Sequence, residues 1–295
     1  MLAALLLTLP ALSATLIVDA AGGGDHTSIQ DALDAAAEGD DILVRNGDYH
    51  EGSSPTESPD YAGILILRQS VTVTGESIDG VRVYADFAET PGISAAILLT
   101  PGGQTSVVQQ MTFVHDQPGD DTGWWWGPDH TYNVVTQCCA YNAGTGALTV
   151  RRVVAQLLED HPKMLLYTNW SSFDTFLDNV TIDFGDVRAG KMVYVNHIST
   201  GSLLSNAILY NTDGTGRNYG STVDGLQITT DYSDLYGSPN LDGTDNIDAD
   251  PLFVDAASGD YRLSASSPAL DAGDPTRTDD DGTRLDMGAW GGGIA

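Results

Sequence analysis

Three short cores recur in this chain at a constant step. Val150-Arg151-Arg152-Val153-Val154, Leu177-Asp178-Asn179-Val180-Thr181 and Leu204-Ser205-Asn206-Ala207-Ile208 begin at residues 150, 177 and 204, a step of 27 each time. Val108-Gln109-Gln110-Met111-Thr112 falls in the same frame 42 residues before Val150, so that coil carries an insertion. A unit of this length cannot bury its apolar side chains alone, but it can do so against copies of itself. Further upstream, Ile64-Leu65-Ile66-Leu67, Val71-Thr72-Val73-Thr74, Val81-Arg82-Val83-Tyr84 and Ile97-Leu98-Leu99 are β-branched runs divided by Gly, Asn and Asp. They lack the helices that α/β crossovers need, and the Asn-Gly or Asp-Gly two-residue turns that hairpins favour are few. The pattern predicts an all-β solenoid with one coil per repeat and parallel sheets around a narrow apolar core. Asn179 and Asn206 share one position of the repeat, which predicts an internal stack with amides bonding along the axis.

The start of the chain departs from this pattern in one place. Thr27-Ser28-Ile29-Gln30 has capping-box spacing, and Ile29, Ala32, Leu33 and Ala36 share a helical face. Gly39 offers a stop. A short helix over 28–38 is expected, covering the open end of the core, where strand edges would otherwise stay unpaired.

Charge narrows the function. The chain holds 12 Lys and Arg against 41 Asp and Glu, a formal net charge of −29. That surface repels nucleic acid and anionic membranes, which need a positive patch to displace their counterions. It also disfavours anionic polysaccharides unless a divalent cation bridges the carboxylates. The first 14 residues, MLAALLLTLPALSA, read as a signal peptide ending in small residues, without a Lys or Arg before the apolar run. No later stretch is long and apolar enough to span a membrane. Cys138 and Cys139 are adjacent, so a bond between them would be strained. Two free thiols are expected, with a vicinal or intermolecular disulfide as the alternatives.

Two segments carry a resemblance. Thr27-Ser28-Ile29-Gln30-Asp31-Ala32-Leu33, then Gly39-Asp40-Asp41-Ile42-Leu43-Val44 and Gly47-Asp48-Tyr49, resemble the opening of pectin-lyase-like right-handed β-helix proteins. Asn246-Ile247-Asp248-Ala249-Asp250-Pro251-Leu252-Phe253-Val254-Asp255, Gly259-Asp260-Tyr261-Arg262-Leu263, Ser267-Pro268-Ala269-Leu270-Asp271-Ala272-Gly273 and Asp286-Met287-Gly288-Ala289-Trp290-Gly291 resemble the C-terminal module of bacterial surface β-helix proteins of the choice-of-anchor Q type. The resemblance implies a right-handed parallel β-helix, secreted or attached to a bacterial surface. It implies no reaction, because this fold carries many. The expected organisation is a signal peptide over 1–14, the β-helix with its cap over 15–247, and the C-terminal module over 248–295.

Chemistry-bearing groups are few. Asp174, Asp178, Asp183 and Asp186 fall within one coil and its turns, the raw material for the two carboxylates of a glycoside hydrolase. A lyase needs a basic residue to take a proton beside a uronate carboxyl group. Arg151, Arg152, His161, Lys163, Arg188, Lys191 and His197 are the candidates, and Lys163 and Lys191 are the chain's lysines. Asp183-Phe184-Gly185-Asp186 lacks the core of the pectinesterase motif. Trp124-Trp125-Trp126 is costly to expose, and aromatic faces stack on sugar rings or partner proteins, so this triplet is the candidate binding surface. The alternative is a loop folded down on the solenoid. Asp279-Asp280-Asp281-Gly282 with Asp286, and Asp242, Asp245, Asp248 and Asp250, offer oxygen ligands for Ca²⁺ without the full EF-hand spacing; Asp279, Asp281 and Asp286 are the candidate ligands. Asx-turns are the competing reading. Asn169 and Asn179 begin formal glycosylation sequons.

The expected function is that of a non-catalytic extracellular or cell-surface protein binding polysaccharide or a surface partner. A polysaccharide lyase or glycoside hydrolase working along the coils is the alternative.

Overall fold

A computed structural model describes residues 13–52, 61–87, 93–99, 105–116, 131–137, 146–158, 163–168, 173–185, 193–195, 202–210, 229–236 and 243–291. Within them the chain winds as a parallel β-solenoid. The first sheet runs Thr15–Val18, Asp41–Val44, Thr72–Gly75, Thr105–His115, Gly146–Leu157, Phe173–Asp183, Leu203–Ser205, Thr229–Asp231, Gly243–Thr244, each hydrogen-bonded to the next. A second sheet stacks Tyr61–Leu67, Ile93–Leu99, Thr131–Gln137, Lys163–Thr168 and Val193–Val195 in the same order.

The 27-residue frame is the strand register. Val150 pairs with Leu177 and Leu177 with Leu204, while Val150 pairs on its other side with Val108. From Thr105–His115 onward each rung then bends at one residue of positive φ: Gln110, Arg152, Asn179, Asn206, Tyr232 and Asp245, between 49° and 63°. The bend splits each long strand into two segments facing different ways. Beyond it lie Gly47–Glu51, Val81–Ala85, Ile208–Tyr210, Asp234–Leu235 and the second halves of the three long strands. Asn accepts the left-handed conformation more readily than most residues, which explains Asn179 and Asn206.

Alternation decides what goes inside. Ile42, Val73, Val108, Val150, Leu177 and Leu204 form one buried file before the bend, and Tyr49, Val83, Phe113, Ala155, Ile182, Leu209 and Leu235 form another after it. The files meet in one core.

The helix forms over Ile29–Ala35, shorter than the expected 28–38. Ser28 is its cap, accepting from the Asp31 amide at 3.1 Å. Gln30 does not close a capping box. Glu51, brought from the next coil, accepts instead from the Ile29 amide at 2.5 Å and the Ser28 hydroxyl at 2.9 Å. Gln30 is turned onto the edge of the second sheet. Its side chain donates to the Ile66 carbonyl at 3.2 Å and accepts from the Ile66 amide at 2.8 Å, as a neighbouring strand would. The helix ends before Gly39, at Ala36, and Gln69 donates to the Leu33 and Ala36 carbonyls at 2.6 Å each. The helix therefore covers the end of the core as expected.

Candidate functional site

Outward-facing residues form two walls, one on each side of the bend, and they differ in what covers them. After the bend, one outward file is Arg82, Thr112, Val154, Thr181, Ile208 and Asp234, and the next is His50, Tyr84, Val114, Gln156, Asp183 and Tyr210. Most of these would be wet on a bare solenoid. Here Val154, Gln156, Thr181, Asp183, Ile208 and Asp234 are buried, because C-terminal residues lie over them. Tyr261 and Ala289 pack with Ile78 and Val154, while Ala269 and Met287 pack with Ile208. The segment acts as a strap along the flank of several coils.

Polar groups stitch the strap down. The Tyr261 hydroxyl donates to Asp183 Oδ2 at 2.5 Å and accepts from Gln156 Nε2 at 3.2 Å. Burial, and after it the Asp183 charge, holds that hydroxyl above its ordinary titration range. The Ala289 amide donates to Thr181 Oγ1 at 3.0 Å. The two stacked asparagines also serve the strap: Asn179 Nδ2 donates to the carbonyls of Asp286 and Gly288, and Asn206 Oδ1 accepts from the Asp274 amide. Asn206 Nδ2 reaches Asp178 of the neighbouring coil. The expected ladder of amides bonding one another along the axis gives way to these bonds, since the carbonyls and amides of the strap compete for the same side chains.

The sheet before the bend presents a second wall. Its outward files are Thr72, Val107, Thr149, Phe176 and Leu203, all half-buried, beside Thr74, Gln109, Arg151, Asp178, Ser205 and Asp231. The polar file is cross-linked. Gln109 donates to Thr74, Arg151 to Gln109, and Ser205 to Asp178. Arg277 of the strap closes its margin, donating from Nη1 to both oxygens of Asp178 at 2.8 Å.

The carboxylates grouped by sequence are parted by the bend. Asp174 and Asp178 face outward before it, and Asp183 faces outward after it, beneath the strap. Asp174 and Asp178 are four residues apart on one strand, about 13 Å at ~3.3 Å per residue, against the ~5–10 Å between paired carboxyls of glycoside hydrolases. Asp178 is engaged by Arg277, Ser205 and Asn206, and Asp183 by Tyr261 and the Gly185 amide. Lys191, Asp186, Cys138, Cys139 and Trp124, Trp125 and Trp126 lie outside the described residues.

The candidate calcium ligands are spread over the strap. Asp281 accepts from the Thr283 amide and hydroxyl, Asp279 from the Asp286 amide, and Asp286 from the Asp271 amide. The Asp281 bonds are those of an Asx-type turn, whereas Asp279 and Asp286 accept from amides 7 and 15 residues away. Burial, with the charges of Asp279, Asp271 and Asp281, pushes the Asp286 carboxyl up to about 6. Among the described residues no three His, Cys, Asp or Glu side chains converge as a metal site would require.

Sequence reading missed Phe176 and Leu203, although both fall in one file of the 27-residue frame. It also missed Tyr261, Gln156 and Arg277, whose partners lie far away along the chain. No family model matches the chain, and no curated protein matches it. The chain is a parallel β-solenoid. Among the described residues no helix of this solenoid is long and apolar enough to cross a membrane.

Proposed function

We propose that the chain is a secreted or cell-surface β-helix protein, pectin-lyase-like and right-handed with a choice-of-anchor Q type C-terminal module, that binds a neutral extracellular polysaccharide without cleaving it. The observation that carries this reading is the half-buried file Val107, Thr149, Phe176 and Leu203 on the wall before the bend. Parallel strands repeat at about 4.8 Å, so this file offers an extended ligand the same apolar step on coil after coil. Phe176 presents an aromatic ring for a sugar face, and the neighbouring Gln109, Arg151, Asp178 and Ser205 supply hydroxyl-binding groups. A net charge of −29 favours a neutral chain over an anionic one. Trp124, Trp125 and Trp126 belong to the same proposal as further aromatic contacts.

The test is a panel of neutral and uronic-acid polysaccharides, with and without Ca²⁺, assayed for binding and cleavage. A neutral polysaccharide is expected to bind, and Phe176→Ala to weaken it about tenfold, in line with loss of one well-packed aromatic contact. Cleavage of any member would overturn the non-catalytic reading and restore the lyase or hydrolase. Binding unchanged by Phe176→Ala would remove the ligand from this wall.

A further inference from the structure

Among the described arginines, Arg82 and Arg152 each bury an Nε without a hydrogen-bond partner, and Arg151 donates to Gln109. Arg45, Arg68, Arg262 and Arg277 each pair with a carboxylate, and the Arg284 guanidinium donates to two backbone carbonyls. In a chain with more than three acidic residues for each basic one, an arginine has carboxylates to choose from. Arg82 has none within pairing distance among the described residues, and its Nε is buried with no hydrogen-bond partner. A half-buried guanidinium without a counter-charge is costly, so its surroundings call for an explanation.

Those surroundings are a small cradle of donors at the tip of the strap hairpin. Gly259, at φ 81°, forms the turn between Phe253–Asp255 and Asp260–Leu263. A β-carbon placed on Gly259 would lie 3.2 Å from Gln156 Nε2, 3.9 Å from Arg82 Nη1 and 4.0 Å from Arg82 Nη2. Three N–H-bearing atoms therefore surround one point. Gln156 spends one N–H on Tyr261 and has a second to give. Of the hairpin's carboxylates, Asp260 is taken by Arg262 through both of its oxygens and Asp255 accepts from the Ser258 amide and hydroxyl. The guanidinium is also held in place: it lies 5.7 Å from the centre of the Tyr84 ring, and His50 stacks on that ring at 5.1 Å and 15°.

We infer that Arg82, Gln156 and the Gly259 turn form a binding site for a small monovalent anion, a carboxylate before a halide. Two Nη atoms in one plane match the two oxygens of a carboxylate, and Gln156 adds a third donor from the side. The site lies on the wall after the bend, so it stands independently of the polysaccharide wall. Glycine at 259 keeps the space open where any side chain would close it.

The experiment follows the Arg82 Nε–H resonance of the full chain by ¹⁵N NMR during titration with sodium acetate, and in parallel with sodium bromide. Arg45, exposed and paired with Glu76, reports nonspecific screening. A saturable shift at Arg82 without a counterpart at Arg45 is expected, tighter for acetate than for bromide. Gln156→Leu and Gly259→Ala should each weaken it at least about tenfold, the loss of one charge-assisted or well-aligned contact. Gln156→Leu leaves the Tyr261–Asp183 bond in place and serves if Gly259→Ala does not fold. A non-saturating shift shared with Arg45, or saturable binding that both variants leave unchanged, would overturn the site. Bromide binding more tightly than acetate would overturn the carboxylate preference.

Discussion

Asp234 gives the sharpest quantitative test of the buried wall. It is 0% exposed. Its Oδ1 accepts from the Ala249 amide at 3.2 Å, while its Oδ2 is buried without a hydrogen-bond partner. Burial, then the charges of Asp248 and Asp250, raises its titration from 3.8 to about 7. A carboxyl raised on folding makes the folded state bind the extra proton between those two values. Its penalty is absent below pH 3.8, grows through the interval and is complete above about pH 7. At ~1.4 kcal/mol per pH unit, the cost at pH 8 is on the order of 4 kcal/mol as an upper bound. Asp234→Asn removes that charge and keeps the acceptor for Ala249. It also leaves an amide donor unsatisfied where Oδ2 was, a cost of about 1–3 kcal/mol. The net expectation is a gain of roughly 1–3 kcal/mol at pH 8 and a loss of about 1–3 kcal/mol at pH 4. Urea unfolding of both proteins at the two pH values measures this. Comparing variant with wild type cancels the carboxyls that shift the other way, such as Asp40, Asp274 and Asp281. A gap between variant and wild type that is the same at both pH values would refute the argument.

Two further substitutions probe how the strap is held. Tyr261→Phe keeps the ring that packs edge-on to Phe253 but strips a charge-assisted hydrogen bond from buried Asp183; denaturant unfolding should lose about 1.5–3 kcal/mol. In the wild type, the raised Tyr261 hydroxyl should make stability fall as pH rises past 10, and that slope should become shallower in the variant, leaving the part that Tyr49 and Tyr210 contribute. Gly288→Ala sets a β-carbon 2.8 Å from Ile208 Cδ1 and 2.9 Å from Thr181 Oγ1, at φ 89°. Left-handed alanine costs about 1–2 kcal/mol and overpacking about 1–3 more. Limited proteolysis should then release the C-terminal segment while the coils stay protected, and an uncut strap would contradict the packing described.

What could be read in advance follows the axis of the solenoid. Val150, Leu177 and Leu204 pair in register because neighbouring coils differ by a constant number of residues, so spatial contact becomes periodicity in the chain. The helix was legible for a related reason, since its face repeats locally. Its caps were less so. Glu51 replaced Gln30 because the first coil brings a carboxylate to the helix N-terminus across 22 residues.

The strap obeys no such period. Tyr261 meets Asp183 across 78 residues, Arg277 meets Asp178 across 99, and Ala289 meets Thr181 across 108. Sequence alone determined that the chain coils, which side chains enter the core and where Asn179 and Asn206 stand in each turn. Only the tertiary structure decided which outward wall is covered. Coil-on-coil contacts are dictated by a repeat that the sequence carries openly. Strap contacts depend on where a non-repeating segment lands, and that choice rests on the summed fit of Tyr261, Met287 and Ala289 against a wall that no local pattern marks.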